Sequence, residues 1–308
     1  MRPFRRGSAP RVRELTAADA PALRAYCAGD PVGTALLLDR LAAAGHSGRT
    51  SADARFYALV DGPAGGPEPR LSAVAFAGVN VFPHGDWSRA LGPLAERLFA
   101  PHERRPASIY GPSSAVLPLW DELERGGLRA AEERRHQPLL AMDGDDLELA
   151  EPYQTGPARK VAPSRLEDEA ALLRASVAMF TEEVGYSPVE PSVWAGRVIR
   201  PDAASYVQRV RQLITQGRSF SHVENGEVLF KAEFAAVTPE AAFVQGVWLA
   251  PRLRGRGLSS GYMRALAVHG LASSRRVCLY ANGYNYAALA SYARAGFRQV
   301  GTFSTIML

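Results

Sequence analysis

The chain has 308 residues, 47% hydrophobic and 22% charged, which suits two cores of ordinary domain size and excludes a disordered or fibrous protein. No stretch approaches the run of about 18 apolar residues that a membrane-spanning helix needs. The net charge of +5 is uneven: residues 241–308 hold eight arginines and no lysine, aspartate or glutamate, leaving 28 basic against 31 acidic residues before them.

The start, MRPFRRGSAP, is basic with no apolar core behind it, and reads as a flexible tail rather than a secretory signal. A short strand and a helix follow in VRELTAADAPALRAYC, where Thr16 is placed to cap. RFYALV and LSAVAFAGVNVF are strand-like and flank the loop DGPAGGPEP. Then come a helix in SRALGPLAERLF, a strand in ASIYG, a helix in AVLPLWDELERGG and a strand in QPLLAM. The acidic stretch MDGDDLELAEPYQTGPARK reads as a linker. Two domains are expected, at 1–145 and 159–308, joined by 146–158.

The second half repeats the order. Residues 158–185 give a strand and a helix, and PSVWAGRVI with YVQRVRQLIT gives more helix. SFSHVENGEVLFKAEFAAV reads as two strands joined at Asn225-Gly226, a strong hairpin signal. AAFVQGVWLA is the next strand, followed by a glycine loop, a helix, the strand VCLYA, the helix NYAALASYARAG and the strand RQVGTFSTIML. Each half therefore predicts β-α-α-β-β-β-α-β-α-β, an α+β fold built on a mixed, mostly antiparallel sheet flanked by helices. Cys27 and Cys278, two thiols far apart, fit a reducing cytoplasm and read best as small buried hydrophobes.

The loop carries the chemistry. In VWLAPRLRGRGLSSGYMRAL, three arginines and two glycines stand between a strand and a helix, a pattern that suits an anion, most simply a phosphate. A P-loop would need a lysine, and residues 241–308 contain none. Gly255, Gly257 and Ser260 come close to a dinucleotide fingerprint. That design needs an acidic residue about 20 positions on, and none occurs after Glu240. The arginines are scattered among helix and strand patterns without interleaved stacking aromatics, so a small anionic ligand suits them better than nucleic acid.

Arg252-x-x-Gly255-x-Gly257, followed by Asn285-x-x-Ala288-x-x-x-Tyr292-x-x-x-Gly296-Phe297, resembles the two coenzyme A motifs of the GCN5-related N-acetyltransferases. The resemblance covers roughly residues 158–308. The first half is similar in fold only, since NVFPHGDWSRALG lacks the loop, and a degenerate copy is expected there. Tandem chains of this kind are similar to actinobacterial acetyltransferases.

The resemblance implies an acetyl-CoA-dependent N-acetyltransferase, releasing coenzyme A, that acts on an amine acceptor of small-molecule or peptide type. No metal, nucleic acid or membrane partner is expected. Val247, Trp248 and Leu249 would offer backbone groups to the cofactor. Arg252, Arg254, Gly255, Arg256, Gly257, Leu258, Ser259 and Ser260 would hold its pyrophosphate. Asn285 and Ala288 would line its path, and Tyr292 would protonate the departing thiolate.

Family members often place a glutamate on the strand before the loop, but Gln245 stands there, so any carboxylate base must come from earlier in the chain. Glu233 and Glu183, with its neighbour Glu182, are the candidates, and a water relay would need none of them. The plainer readings are a salt bridge of Glu233 with Lys231, a solvated helix end at Glu182 and Glu183, a core aromatic at Tyr292 and a simple helix cap at Asn285. A non-catalytic acyl-CoA-binding or regulatory module is the alternative function.

Overall fold

A computed structural model describes residues 11–47, 54–61, 70–99, 105–149 and 156–308. The basic start, most of the loop at 61–69 and the middle of the expected linker lie outside these residues. The chain forms two compact units that do not follow chain order. Unit 1 comprises residues 1–139, 280–283 and 299–308, and unit 2 comprises 140–279 and 284–298. No helix among the described residues is long and apolar enough to cross a membrane.

Unit 1 contains β1 (Arg11–Glu14), α1 (Ala20–Cys27), α2 (Ala35–Ser47), β2 (Arg55–Asp61), β3 (Arg70–Ala77), β4 (Asn80–Gly85), α3 (Leu91–Leu98), β5 (Ser108–Pro112), α4 (Ser113–Arg125) and most of β6 (Glu132–Met142). Strands β1 to β4 pair antiparallel in sequence order, and β4 pairs parallel with β5. The core joins Tyr57, Leu59, Val81, Leu94, Ile109, Val116, Leu119 and Trp120. Each such side chain contributes roughly 1.5–3 kcal/mol on burial.

Thr16 begins the 3-10 turn Ala17–Asp19 that leads into α1, and Asp19 accepts from the Thr16 N–H at 2.8 Å. Arg13 donates to both Asp19 oxygens at 2.7 and 2.8 Å, which holds this carboxyl well below the usual carboxylate range. A depressed pKa stabilises the fold above the unfolded value, near 4, and that contribution fades as pH falls toward the folded value. Asp19→Asn is expected to cost about 1 kcal/mol at pH 7. Thermal melts of the two proteins should converge as the pH is lowered from 5 to about 2.

Unit 2 contains α5 (Gly144–Leu149), β7 (Ala162–Pro163), α6 (Glu169–Val184), β8 (Ser192–Trp194), β9 (Arg197–Ile199), α7 (Ala203–Thr215), β10 (Ser219–Glu224), β11 (Glu227–Val237), β12 (Ala242–Leu249), α8 (Leu258–Leu271), β13 (Val277–Tyr280) up to Leu279, and α9 (Tyr286–Ala295). Strands β7, β10, β11 and β12 pair antiparallel in that order, and β12 pairs parallel with β13. Unit 1 thus shows the predicted element order, unit 2 shows it as far as α9 with one hairpin added, and the two share the same pairing pattern. Asn225 and Gly226, at φ +51° and +74°, make the expected turn between β10 and β11.

Three details differ from the expectations. Residues 191–199 form no helix: β8 and β9 make a hairpin of their own, turned at Ala195 and Gly196 with φ +48° and +73°. β-branched residues on both arms favour this extended pairing. Part of the expected linker is helical as well. Asp143 and Asp146 accept from each other's backbone N–H at 3.2 Å, a reciprocal cap that starts α5.

The last strand, β14 (Arg298–Met307), is the third. It pairs antiparallel with β5 over Phe303–Met307 and buries Ile306 completely in the core of unit 1. The thiol of Cys27 is buried and pushed up to about 11, while Cys278 is buried and donates weakly to the Ala242 carbonyl. Neither fits an activated nucleophile.

Candidate cofactor site in the second unit

The site begins where β12 leaves β13. The two strands pair only at Ala242↔Val277 and Phe243↔Cys278, so β12 runs on without that neighbour to Leu249. On its other side β12 keeps its partner: Trp248 faces Lys231, and the Ala250 N–H donates to the Leu229 carbonyl at 2.9 Å. Backbone groups alternate along a strand, so those of Val247 and Leu249 face the open edge. Arg254 lies on that side, donating from Nε to the Leu249 carbonyl at 2.9 Å.

The loop alternates too. Leu253 is buried with Leu229 and Ala250, and this anchor turns Arg252 and Arg254 outward. Gly255 and Gly257 have φ +71° and +73°, a region that side chains rarely adopt, with nothing within 4 Å of where a Cβ would stand. Gly257 is the N-cap of α8, and no side chain caps it. The first backbone N–H groups of a 14-residue helix therefore have no capping side chain, and the positive end of its dipole lies behind them. Tyr262 pins this turn from below, stacked on Phe230 at 4.7 Å and bonded to His222 Nδ1 at 2.7 Å.

The three arginines differ. Arg252 makes a bidentate pair with Glu227, and Arg254 pairs with Glu182 at 2.8 Å. Both pairs are exposed, so each contributes about 0–1 kcal/mol and is easily exchanged for a phosphate. Arg256 is exposed and has no partner among the described residues.

Helix α9 carries the second motif. The Asn285 side chain accepts from the Ala288 N–H at 3.2 Å, so it caps α9. Its amide nitrogen is not used in that bond. Gly296 closes the helix in the left-handed conformation, as predicted. Tyr292 is 7% exposed, and its hydroxyl makes no hydrogen bond within the described residues. Burial, with the nearby charge of Glu183 adding to it, pushes the phenol well above its ordinary range and keeps it protonated.

Sequence comparison adds little. Residues 64–170 match a family model described as a domain of unknown function, DUF4081. No curated protein sequence matches the chain significantly. Structural comparison is more informative. The chain is similar to a GNAT-family acetyltransferase from Colwellia psychrerythraea, with TM-score 0.51 and 12% identity over 97% of this chain and 99% of that one. It is similar to a GCN5-related N-acetyltransferase from Sphaerobacter thermophilus, with TM-score 0.55 and 16% identity over 97% and 95%. A Drosophila protein matches with TM-score 0.60 and 12% identity over 96% and 98%.

The fold is that of the GCN5-related N-acetyltransferases. At these identities the likeness concerns the fold alone. Within this acetyltransferase fold, unit 2 holds every residue of the two motifs, whereas β4 of unit 1 leads to Asp86, Trp87 and Ser88 with no arginine–glycine loop.

Of the three carboxylates considered as bases, Glu233 is buried and pairs with Lys231 at 2.6 Å, the plainer of its two readings. Glu182 is engaged by Arg254, and the Trp248 Nε1–H reaches it at 3.5 Å. Glu183, at the exposed end of α6, is the one whose charge Tyr292 feels. One residue escaped the sequence reading, the first of the pair Gly246–Val247 on β12. It had a signal, since an isolated glycine within a strand pattern marks a bulge.

Proposed function

We propose that unit 2 binds acetyl-CoA and transfers its acetyl group to an amine. The observation that carries this reading is the α8 N-terminus, left without a side-chain cap and approached by two left-handed glycines, at the end of a strand with an open edge. Bound there, acetyl-CoA would supply an acetyl group activated as a thioester. Gly255 to Ser260 offer N–H groups to the pyrophosphate, and Arg256 adds charge without breaking an existing pair. Arg252 and Arg254 join by exchanging Glu227 and Glu182 for phosphate oxygens.

The outward N–H groups of Val247 and Leu249 are suited to hold the thioester carbonyl oxygen, a donor set made from main chain. Trp248 faces the other way, toward α6. Tyr292, kept neutral by burial, gives its proton to the departing sulfur as the new C–N bond forms and the C–S bond breaks. Glu183 takes the proton that the acceptor ammonium must lose before its nitrogen can attack, and the second proton shed by the acylated nitrogen restores the Tyr292 phenol. Glu233 is the weaker candidate, because its carboxylate is already engaged by Lys231 at 2.6 Å.

Calorimetric titration of acetyl-CoA into wild type and Gly257→Glu tests the reading. The substitution puts a side chain at φ +73° and a negative charge on the anion site. Micromolar binding by wild type, weakened about 30-fold or more in the variant, is expected. No binding by wild type would sink it. One observation favours a non-catalytic acyl-CoA-binding module: Gln245 supplies no carboxylate, and the nearest one, Glu233, is already paired. Binding without turnover across a panel of amines would establish that alternative.

A further inference from the structure

Lys231 and Glu233 are the one pair of opposite charges in the described core of unit 2 that lies directly against β12. Lys231 is 1% exposed and Glu233 7%. Lys231 sits opposite Trp248 and Glu233 opposite Gln245, so a single residue on β11, Ala232, faces two on β12, Gly246 and Val247. That extra residue is a β-bulge, and Gly246 adopts φ +62° within it.

The ion pair packs against the bulge itself. A Cβ on Gly246 would stand 3.0 Å from Glu233 Oε2 and 3.3 Å from Lys231 Nζ. Glu233 Oε2 also accepts from Gln245 Nε2 at 3.3 Å, so one carboxylate touches the residues on both sides of the Gln245–Gly246 peptide. Beyond its pairing with Glu233, the Lys231 ammonium makes no well-directed hydrogen bond among the described residues.

A buried ion pair with unused donors is a poor way to stabilise a fold, since apolar residues of similar volume do as well or better. Fixed charges do restrict geometry. One inserted residue also shifts the alternation of a strand, so the bulge decides which backbone groups beyond it face outward. Those groups belong to Val247 and Leu249.

We propose that the Lys231–Glu233 pair is a positioning device that locks the Gly246 bulge and thereby aims the Val247 N–H into the open edge, where an acyl carbonyl would be held. Lys231 and Glu233 touch no substrate in this assignment and act through the backbone. The proposal rests on the acyl-CoA reading, and its test separates the two.

Acetyl-CoA labelled with carbon-13 at the acetyl carbonyl would be bound to the full chain. Its carbonyl stretch would be read by isotope-edited infrared difference spectroscopy, and its affinity by calorimetry. In wild type the band is expected to move to lower frequency than in water, as hydrogen bonding to the oxygen weakens the C=O bond. In K231M/E233M, which removes both charges together, most of that displacement should vanish while affinity stays within about threefold. Glu233→Asp, which keeps both charges and shortens the reach, should lose part of it and guards against misfolding of the double variant.

A displaced band in wild type that persists unchanged in both variants would overturn the positioning role and leave the acyl-CoA reading intact. A bound but undisplaced band in wild type would overturn it as well. No binding by wild type would overturn the acyl-CoA reading, and this proposal with it.

Discussion

Lys231→Met alone is expected to lower the stability of the protein by about 3–5 kcal/mol, and Glu233→Met in the same chain to restore most of that loss. With the ammonium gone, Glu233 would be left as a negative charge that is 7% exposed, with only the 3.3 Å bond from Gln245 to offset its desolvation. Removing both charges leaves two flexible apolar side chains of similar length in the same space. A loss of this size is a large share of the roughly 5–15 kcal/mol that holds a typical domain. Urea unfolding of wild type, both single variants and the double variant would give the coupling directly, provided the slope is unchanged. A single-variant loss under about 1 kcal/mol would mean that water reaches the pair, and the locking argument would fail with it.

Tyr292→Phe should lower acetyl transfer by about 100-fold or more and leave acetyl-CoA affinity nearly unchanged. Fold stability should hold or rise slightly, because the lost hydroxyl makes no hydrogen bond within the described residues and the ring keeps its edge contact with Phe297 at 6.1 Å. The pH profile adds a check. An acid works while protonated, and burial raises the Tyr292 phenol above its ordinary value near 10. The wild-type rate should therefore show no alkaline fall from this group between pH 7 and 10, and only a rise on the acid side as the amine and its base lose protons. Steady-state transfer with an amine found by screening would decide it. Wild-type turnover in the Tyr292→Phe variant would return Tyr292 to the role of a core aromatic.

Where local chemistry dictates backbone shape, the reading and the structure agree. Asn225-Gly226 makes its turn because two consecutive positive φ values suit few other pairs. Gly296 adopts the left-handed conformation expected of a helix-ending glycine, and Gly255 and Gly257, read as places where a Cβ would obstruct, stand at positive φ. Asn285 caps α9 by the same short-range logic. The disagreements arise where propensity is weak or the partner is distant. PSVWAGRVI has apolar residues compatible with either period, and pairing across Ala195-Gly196 decided for a hairpin. The acidic stretch looked like a linker because its charges suggest solvent, yet Asp143 and Asp146 cap each other and start a helix.

By itself the sequence determined most of the element order, the position of the arginine–glycine loop, the helix that carries Tyr292, and the lack of such a loop in the first unit. These depend on spacing and on residues a few positions apart, and such information survives in one dimension. Only the tertiary structure decided that β14 completes the sheet of unit 1, that Arg252 and Arg254 are tied to Glu227 and Glu182, and that Lys231 and Glu233 lie under Gly246. The physical reason is the same in each case. A strand's neighbour, a charge's partner and a bulge's filling are chosen by burial and pairing between residues far apart in the chain, and no local pattern records them.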